Sequence, residues 1–106
     1  MPDKTLREET LNLLEQSPLP GGEIDTKVLQ LLKSEYLRML ARYRRMDFIM
    51  TKKYGMSFDE FVSREVVRQK GYTWDVESDA MEWETAISGM KTTKRKIREL
   101  EKLSVG

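Results

Sequence analysis

The chain has 106 residues and a net charge of only +1, with 39% hydrophobic and 35% charged residues. That length fits one domain, residues 1–106, and the lean apolar content favours elongated helices over a thick globular core. The sequence holds neither cysteine nor histidine, which excludes disulfides, thiolate zinc sites and Ser-His or Cys-His nucleophile systems. No apolar run approaches the roughly 20 residues of a membrane span, and the acidic N-terminus is unlike a signal peptide. We therefore expect a cytoplasmic protein without catalytic residues, cofactor or metal, and without membrane contact.

The first predicted element is a short helix over residues 5–16. Thr5 and Glu8 have the spacing of a capping box, in which each side chain satisfies a free backbone N–H of the first turn. The stretch SPLPGG then supplies two prolines and two glycines, which disfavour helix. We predict a flexible joint over residues 17–23.

The second predicted helix is long and covers residues 24–54. Its apolar positions alternate by three and four residues, as in a coiled-coil seam held for three heptads. The seam consists of Leu29, Leu32, Tyr36, Met39, Tyr43, Met46 and Met50. Leu37, Leu40 and Ile49 widen the stripe, which indicates more than one neighbour.

The stretch KYGMSFDEF predicts a sharply defined corner after this helix. Gly55 is suited to the left-handed conformation that ends a helix, and Ser57 with Glu60 predicts a capping box for the next one. Met56 and Phe61 occupy the two positions of a hydrophobic staple. A third helix is predicted over residues 58–70, with a buried face formed by Phe58, Val62 and Val66.

A fourth helix is predicted over residues 75–103, with its apolar face formed by Ala80, Trp83, Ile87, Met90 and Ile97. Charge is segregated along the chain: residues 1–27, 28–56, 57–90 and 91–106 carry net charges of −3, +5, −5 and +4. An antiparallel arrangement of the two long helices brings opposite blocks together, whereas a parallel one brings the basic blocks together. We therefore predict an all-α fold: a long antiparallel helical hairpin with a short helix at the bend and the first helix against the open end.

Paired carboxylates offer one route to chemistry. Asp79 and Glu82 share a helix face near Glu77 and Glu84, and paired acidic residues on facing helices hold magnesium in helical nucleotide pyrophosphatases. Such a site needs a second acidic pair, for which the neighbours Glu8 and Glu9 are only a loose candidate. A magnesium-dependent nucleotide hydrolase is accordingly the least favoured function, and an acidic helix start that complements the helix dipole is the plainer interpretation.

Basic residues offer a second route. Arg38, Arg42 and Arg45 share one helix face, and intramolecular pairing to the acidic blocks explains them. The C-terminal stripe is matched less well, so nucleic-acid binding is the alternative function. Its possible contacts are Lys91, Lys94, Arg95, Arg98 and Lys102.

Aromatic and methionine side chains carry the favoured hypothesis. Tyr, Trp and Met beside arginines are typical of protein interfaces, although residues at helical spacing are more often packed inside. Trp74 lies on the link before the fourth helix and either forms an exposed anchor or plugs the bend. The predicted partner-binding residues are Tyr36, Met39, Tyr43, Met46, Met50, Trp74 and Trp83, with a protein partner and self-association expected.

Two stretches carry a resemblance to a known group. EYLRMLARYRRMDFIMTKKYGMSFDEFVSR, followed by ESDAMEWETAI, resembles small archaeal and cyanobacterial proteins with a KYGMSFDEF corner and an EWE helix. That group is associated with the antitoxin side of toxin–antitoxin loci, and the resemblance spans about residues 35–90. It implies a non-enzymatic protein that binds and neutralises a partner, and it implies no catalytic residue.

Overall fold

The computed structural model describes residues 6–18 and 23–105, and within these ranges every regular element is α-helical. The helices are α1 (Glu8–Gln16), α2 (Ile24–Tyr54), α3 (Phe58–Ser63), α4 (Val66–Gln69) and α5 (Trp74–Val105). The molecule is elongated, with extents of 57 × 31 × 24 Å. No helix in the described part of the chain is long and apolar enough to cross a membrane.

The two long helices form the predicted antiparallel hairpin. Contacts along it run in opposite directions in the two helices: Lys33 pairs with Glu101 at the open end, and Lys53 pairs with Asp79 near the bend. Both ion pairs join a basic residue of α2 to an acidic residue of α5. The hairpin is therefore confirmed: α2 has the predicted bounds, and α5 begins one residue earlier and ends two residues later than expected.

The main core lies at the bend end of the hairpin. It consists of Met50, Phe61, Val66 and Trp83, which come from α2, α3, α4 and α5. The Trp83 side chain is fully buried, and its indole N–H donates to Asp47 Oδ1 at 2.8 Å. A buried indole needs such a partner, because an unmade hydrogen bond inside a protein costs about 1–3 kcal/mol.

The corner between α2 and α3 has most of its predicted features. Gly55 is left-handed, with φ of 67°, and the Ser57 side chain accepts a hydrogen bond from the Glu60 backbone N–H at 3.2 Å. Met56 packs against the cluster that contains Phe61, as a hydrophobic staple requires. The Glu60 carboxylate forms an ion pair with Arg64 at 3.3 Å.

The third predicted helix, residues 58–70, is wrong as a single element. It is interrupted at Glu65, whose φ of 51° and ψ of 47° are left-handed, so that α3 ends and α4 begins on a new axis. The break turns Val66 into the core and leaves Val62 57% exposed, although Val62 was predicted to be buried. Side-chain packing has thus overridden the continuous helical pattern.

The first helix begins at Glu8 rather than at residue 5, and Thr5 of its predicted capping box lies outside the described residues. Lys27 fixes its far end: this buried side chain donates from Nζ to the carbonyl oxygens of Leu14 and Glu15, at 2.8 and 2.9 Å. A cation is favourable there because the last carbonyl groups of a helix are unpaired and carry partial negative charge. The predicted joint over residues 17–23 lies largely outside the described residues.

We predict that Glu65→Gly raises the free energy of unfolding by about 0.5–1 kcal/mol. The left-handed conformation costs an L-residue roughly 1–2 kcal/mol, and glycine removes this strain. Part of the gain is lost because a glycine gives the unfolded chain more backbone entropy. The exposed pair that Glu65 forms with Arg68 contributes little to set against this gain. Urea unfolding measures the change, with Ser63→Gly as the helical control that should lose about 0.5–1 kcal/mol. A loss at both positions would contradict the left-handed assignment.

A close approach in the middle of the hairpin generates a second prediction. A Cβ added to Gly89 would come within 2.5 Å of the Tyr43 ring. Overpacking costs about 1–3 kcal/mol, more than the roughly 1 kcal/mol that alanine gains in helix propensity. Gly89→Ala should therefore destabilise the protein by about 1 kcal/mol.

In a Tyr43→Ala background the same change at Gly89 should instead stabilise the protein, because only the propensity gain is left. Denaturant unfolding of the four proteins of this double-mutant cycle measures the coupling. Equal effects in both backgrounds would show that the tyrosine ring does not lie on the glycine.

Candidate interaction surface

A groove runs between the two long helices, beside the bend-end core. Its volume is about 450 Å³. The lining from α2 is Met39, Arg42, Tyr43 and Met46, and the lining from α5 is Met81, Glu82, Thr85 and Ala86. We call this feature the methionine groove.

The methionine groove exists because of residue spacing on both helices. Met39, Tyr43 and Met46 are separated by four and three residues, so they follow one edge of the α2 stripe that faces α5. Ala86 opposite them is fully buried but small, so the wall of α5 is low at that point. Met81 stands at the outer edge with 66% of its surface exposed.

A second recess of about 450 Å³ continues the methionine groove towards the open end. Met39 and Tyr43 line both spaces, and Tyr36 extends the wall by about one turn. Gly89 allows this continuity because it has no side chain to fill the space that the Tyr43 ring occupies. The two recesses together form a track along the hairpin with aromatic and thioether walls.

The two walls of the track carry charged residues of opposite sign. Arg42 is exposed on the α2 wall, and Glu82 is exposed on the α5 wall. The structure records no ion pair for either side chain within the described residues, so both charges face solvent at the rim. A bound peptide with one acidic and one basic edge would be oriented by this pair.

The structure separates the predicted partner-binding residues into three groups. Tyr36, Met39, Tyr43 and Met46 line the track and are each half-buried. Met50 and Trp83 lie in the core, only 4% and 0% exposed, so they form no part of a surface. Both belong to the bend-end core, where Met50 of α2 and Trp83 of α5 pack with Phe61 of α3.

Trp74 forms the third group by itself. It is the first residue of α5 rather than part of a link, and 77% of its surface is exposed. It therefore does not plug the bend. It lies two turns of α5 before Met81, about 10 Å along the same side of the helix.

Met81 was missed by sequence reasoning. The search for apolar spacing followed the inner face of α5, and Met81 lies off that face. Its spacing of seven residues from Trp74 was the available signal.

The acidic cluster at the start of α5 has a structural role at Asp79. The Asp79 carboxylate accepts hydrogen bonds at 2.6 Å from both Lys53 Nζ and Tyr54 Oη, which ties α5 to the end of α2. Burial disfavours the charge, yet the two hydrogen bonds outweigh it and lower the pKa of Asp79. Burial, together with the hydrogen bond to Asp79, raises the pKa of Tyr54 to about 12.

Within the described residues, no three acidic side chains converge as a metal site would require. Asp79 and Glu82 have different surroundings: Asp79 accepts hydrogen bonds from Lys53 and Tyr54, whereas Glu82 lines the methionine groove. The loose partners Glu8 and Glu9 lie on α1, and Lys27 joins the end of that helix to the start of α2. The arrangement therefore offers no support for a magnesium-dependent hydrolase.

The C-terminal basic stripe is exposed at each of its five positions, Lys91, Lys94, Arg95, Arg98 and Lys102. The ion pairs of this helical segment belong to other residues, Lys96 with Glu99 and Glu101 with Lys33. The stripe is thus a solvated cationic surface on the outer side of α5.

Comparison with known proteins returned no match: no family model fits the chain, and neither a curated protein nor a solved structure is significantly similar to it. The candidate surface is accordingly defined by its own geometry.

The Asp79 network predicts a specific loss of stability in alkali. The folded-state pKa of Tyr54 is about 12 and its ordinary value is 10.0, so between these pH values the unfolded chain loses the proton first. Stability contributed by this group is complete below pH 10 and is lost as pH rises towards 12. The raised pKa of Lys53, which the hydrogen bond to Asp79 causes, adds to the loss in the same direction.

Denaturant unfolding across pH 8–12 should show a shallower alkaline decline for Tyr54→Phe than for the wild type. Tyr72→Phe is the matched control, because Tyr72 is exposed and outside the network, and it should follow the wild-type curve. In acid, Asp79→Asn should flatten the fall in stability below pH 3.8, where the wild-type carboxylate loses its favoured charge. Parallel curves for Tyr54→Phe and wild type would contradict the network.

Proposed function

We propose that this protein is a cytoplasmic, non-enzymatic interaction module that binds and neutralises a partner protein in the manner of an antitoxin. The occupant of the track is an amphipathic helix of the partner, laid along the hairpin with its apolar face in the methionine groove. This mode of recognition is common where a helix meets a long apolar groove between two others.

The single observation that carries the proposal is the set of methionines on facing walls. Met39 and Met46 of α2 and Met81 of α5 border one groove that is open to solvent. Methionine is flexible and polarisable, so a surface rich in it adapts to the side chains of a partner. A groove of about 450 Å³ holds several apolar side chains of such a helix, in the size range of small-ligand clefts.

The aromatic walls support the same proposal. Tyr36 and Tyr43 are half-buried along the track, so their rings are fixed while one edge stays accessible. Tyrosine in that state provides contact area at a low cost in side-chain entropy, which is why it is enriched in interfaces. Arg42 and Glu82 at the rim supply the charges that select orientation.

A non-enzymatic role is supported by the chemistry of the chain. Without histidine or cysteine, proton transfer and nucleophilic attack would fall to carboxylates, lysines or hydroxyl groups. The carboxylate with the clearest shift in pKa, Asp79, is engaged by Lys53 and Tyr54 away from the groove. The resemblance of residues 35–90 to antitoxin-side proteins points the same way.

The proposal is tested by the protein encoded beside this one. The purified neighbour should bind the wild-type chain, and co-expression should relieve any growth arrest that the neighbour causes alone. Met39→Ala combined with Met46→Ala should weaken binding at least tenfold, since buried anchors at the centre of an interface contribute most of its affinity.

A matched control is available on the opposite side of α2. Leu37→Ala combined with Phe48→Ala also truncates two apolar side chains, which are 47% and 60% exposed and lie outside the groove. This pair should leave affinity within about twofold, and denaturant unfolding of each variant separates lost binding from lost folding. Equal losses for both pairs, or a neighbour that does not bind, would refute the groove as the binding site.

A further inference from the structure

The solvent-exposed side of α5 carries a row of side chains at alternating spacings of three and four residues over four heptads. Seven of its nine positions are polar or charged, so the row is a hydrophilic helix face rather than the apolar seam of a coiled coil. We call this set the outer seam; it comprises Trp74, Glu77, Met81, Glu84, Ser88, Lys91, Arg95, Arg98 and Lys102. The inner side of the same helix already packs on α2 through Trp83, Ala86, Thr93 and Ile97.

The outer seam is uncovered. Glu77 is half-buried and the other eight side chains are exposed. None of its six charged side chains forms an ion pair within the described residues, whereas Asp79, Lys96 and Glu101 of the same helix do. The seam therefore presents unpaired charges of both signs to solvent along four heptads.

The two halves of the outer seam carry opposite charge, and this asymmetry indicates the partner. Its first half holds the two large apolar side chains, Trp74 and Met81, with two glutamates, and its second half holds four basic residues. Ser88 lies at the midpoint. A second α5 running antiparallel would place each acidic half against a basic half, whereas a parallel one would place like charges together.

We propose that a second copy of this chain binds along the outer seam, antiparallel and two-fold symmetric about Ser88. Such a contact is self-complementary, because each copy offers the same patch and receives the same patch. Trp74 of each copy then lies beside the basic end of the other, where arginine or lysine can stack on the indole face. The small Ser88 side chain lets the two helices approach at the centre.

The charge pattern favours a second copy over a nucleic acid. A phosphate backbone would match Lys91, Arg95, Arg98 and Lys102, but Glu77 and Glu84 on the same seam would repel it. A second α5 satisfies both halves at once. Solvent-exposed ion pairs are individually weak and are screened by salt, so the association is concentration-dependent and weakens at high ionic strength.

This inference goes beyond the proposed function, because a homodimer is a different assembly from a complex with a partner protein. The two surfaces share Met81 of the methionine groove and Glu84 and Ser88 of the second recess, whereas Lys91 and Arg98 line neither recess. The variant that combines Lys91→Glu with Arg98→Glu therefore separates loss of the dimer from loss of the partner. The test therefore uses the charges of the outer seam and leaves Met39, Met46 and Tyr43 of the methionine groove unchanged.

The experiment is a charge exchange measured by sedimentation velocity at low salt and at about 0.5 M salt, where the Debye length falls to a few Å. One variant combines Glu77→Lys with Glu84→Lys, and the other combines Lys91→Glu with Arg98→Glu. Each alone should weaken self-association at least tenfold relative to the wild type. An equimolar mixture should restore a dimer, because each variant then offers the charge that the other needs.

Arg44→Glu combined with Arg45→Glu is the control, since both residues are exposed on α2 and the change in charge equals that of the basic-half variant. It should leave the wild-type dimer intact. A wild-type chain that stays monomeric at several hundred micromolar in low salt would overturn the proposal, as would failure of the mixture to associate. Tight binding of a nucleic acid by that monomer, abolished by Lys91→Glu with Arg98→Glu, would assign the basic half to phosphate instead.

Discussion

The hydrogen bond from the Trp83 indole to Asp47 is the constraint on which the rest of the molecule depends. It joins the first third of α5 to the last third of α2 and disfavours slip, because a shift of one turn would leave the buried indole N–H without its partner. Rings from the bend close around the same indole: Phe61 lies 5.0 Å from it and Phe58 5.4 Å, centroid to centroid. The corner after α2 is sharply specified because it must deliver those two phenylalanines to one tryptophan.

Once this register is fixed, the shape of the rest of the hairpin follows from side-chain size. Large rings fill the space near the bend, but beyond Trp83 the facing residues of α5 become small, with Ala86, Gly89 and Thr93 on successive turns. Tyr43 can then lie directly on the Gly89 backbone, and Met39 and Met46 border the groove beside the small Ala86. The methionine groove thus results from small residues in this part of α5, between the aromatic packing at the bend and the buried Ile97 and Leu100 nearer the open end.

The sequence predicts this architecture well where the pattern is long and periodic. The three–four spacing of α2, flanked by the SPLPGG and KYGMSFDEF stretches, places its bounds at residues 24 and 54. Segregated charge predicts the antiparallel pairing that Lys53 with Asp79 and Lys33 with Glu101 display. One feature of the fold could not be predicted from the sequence. The left-handed conformation at Glu65 has no sequence signal, because neither glycine nor proline marks the break. The break depends instead on the direction in which Val66 enters the core.

The candidate site was predicted less completely, for a related reason. Periodicity gives the face of a helix but not the depth of a residue on that face, which depends on what packs opposite. Met46 and Met50 belong to one seam in the sequence, yet Met50 meets Phe61 and Trp83 and is sealed, while Met46 borders the groove. Trp74 and Trp83 differ in the same way, because only the second has a carboxylate and three aromatic rings around it.

The total charge is near neutral, but the two long helices carry more charged side chains than their interhelical ion pairs engage. Between them, α2 and α5 carry blocks of opposite sign that extend over several turns, but the hairpin joins them through only two interhelical ion pairs in the described residues. Exposed pairs of this kind add little to stability, so an excess of them is not explained by the need to hold one chain together. Some of the remaining charges lie at the groove rim and along the outer seam, the two surfaces for which we propose a partner protein and a second copy of this chain. In those proposals the charges steer encounter and set orientation.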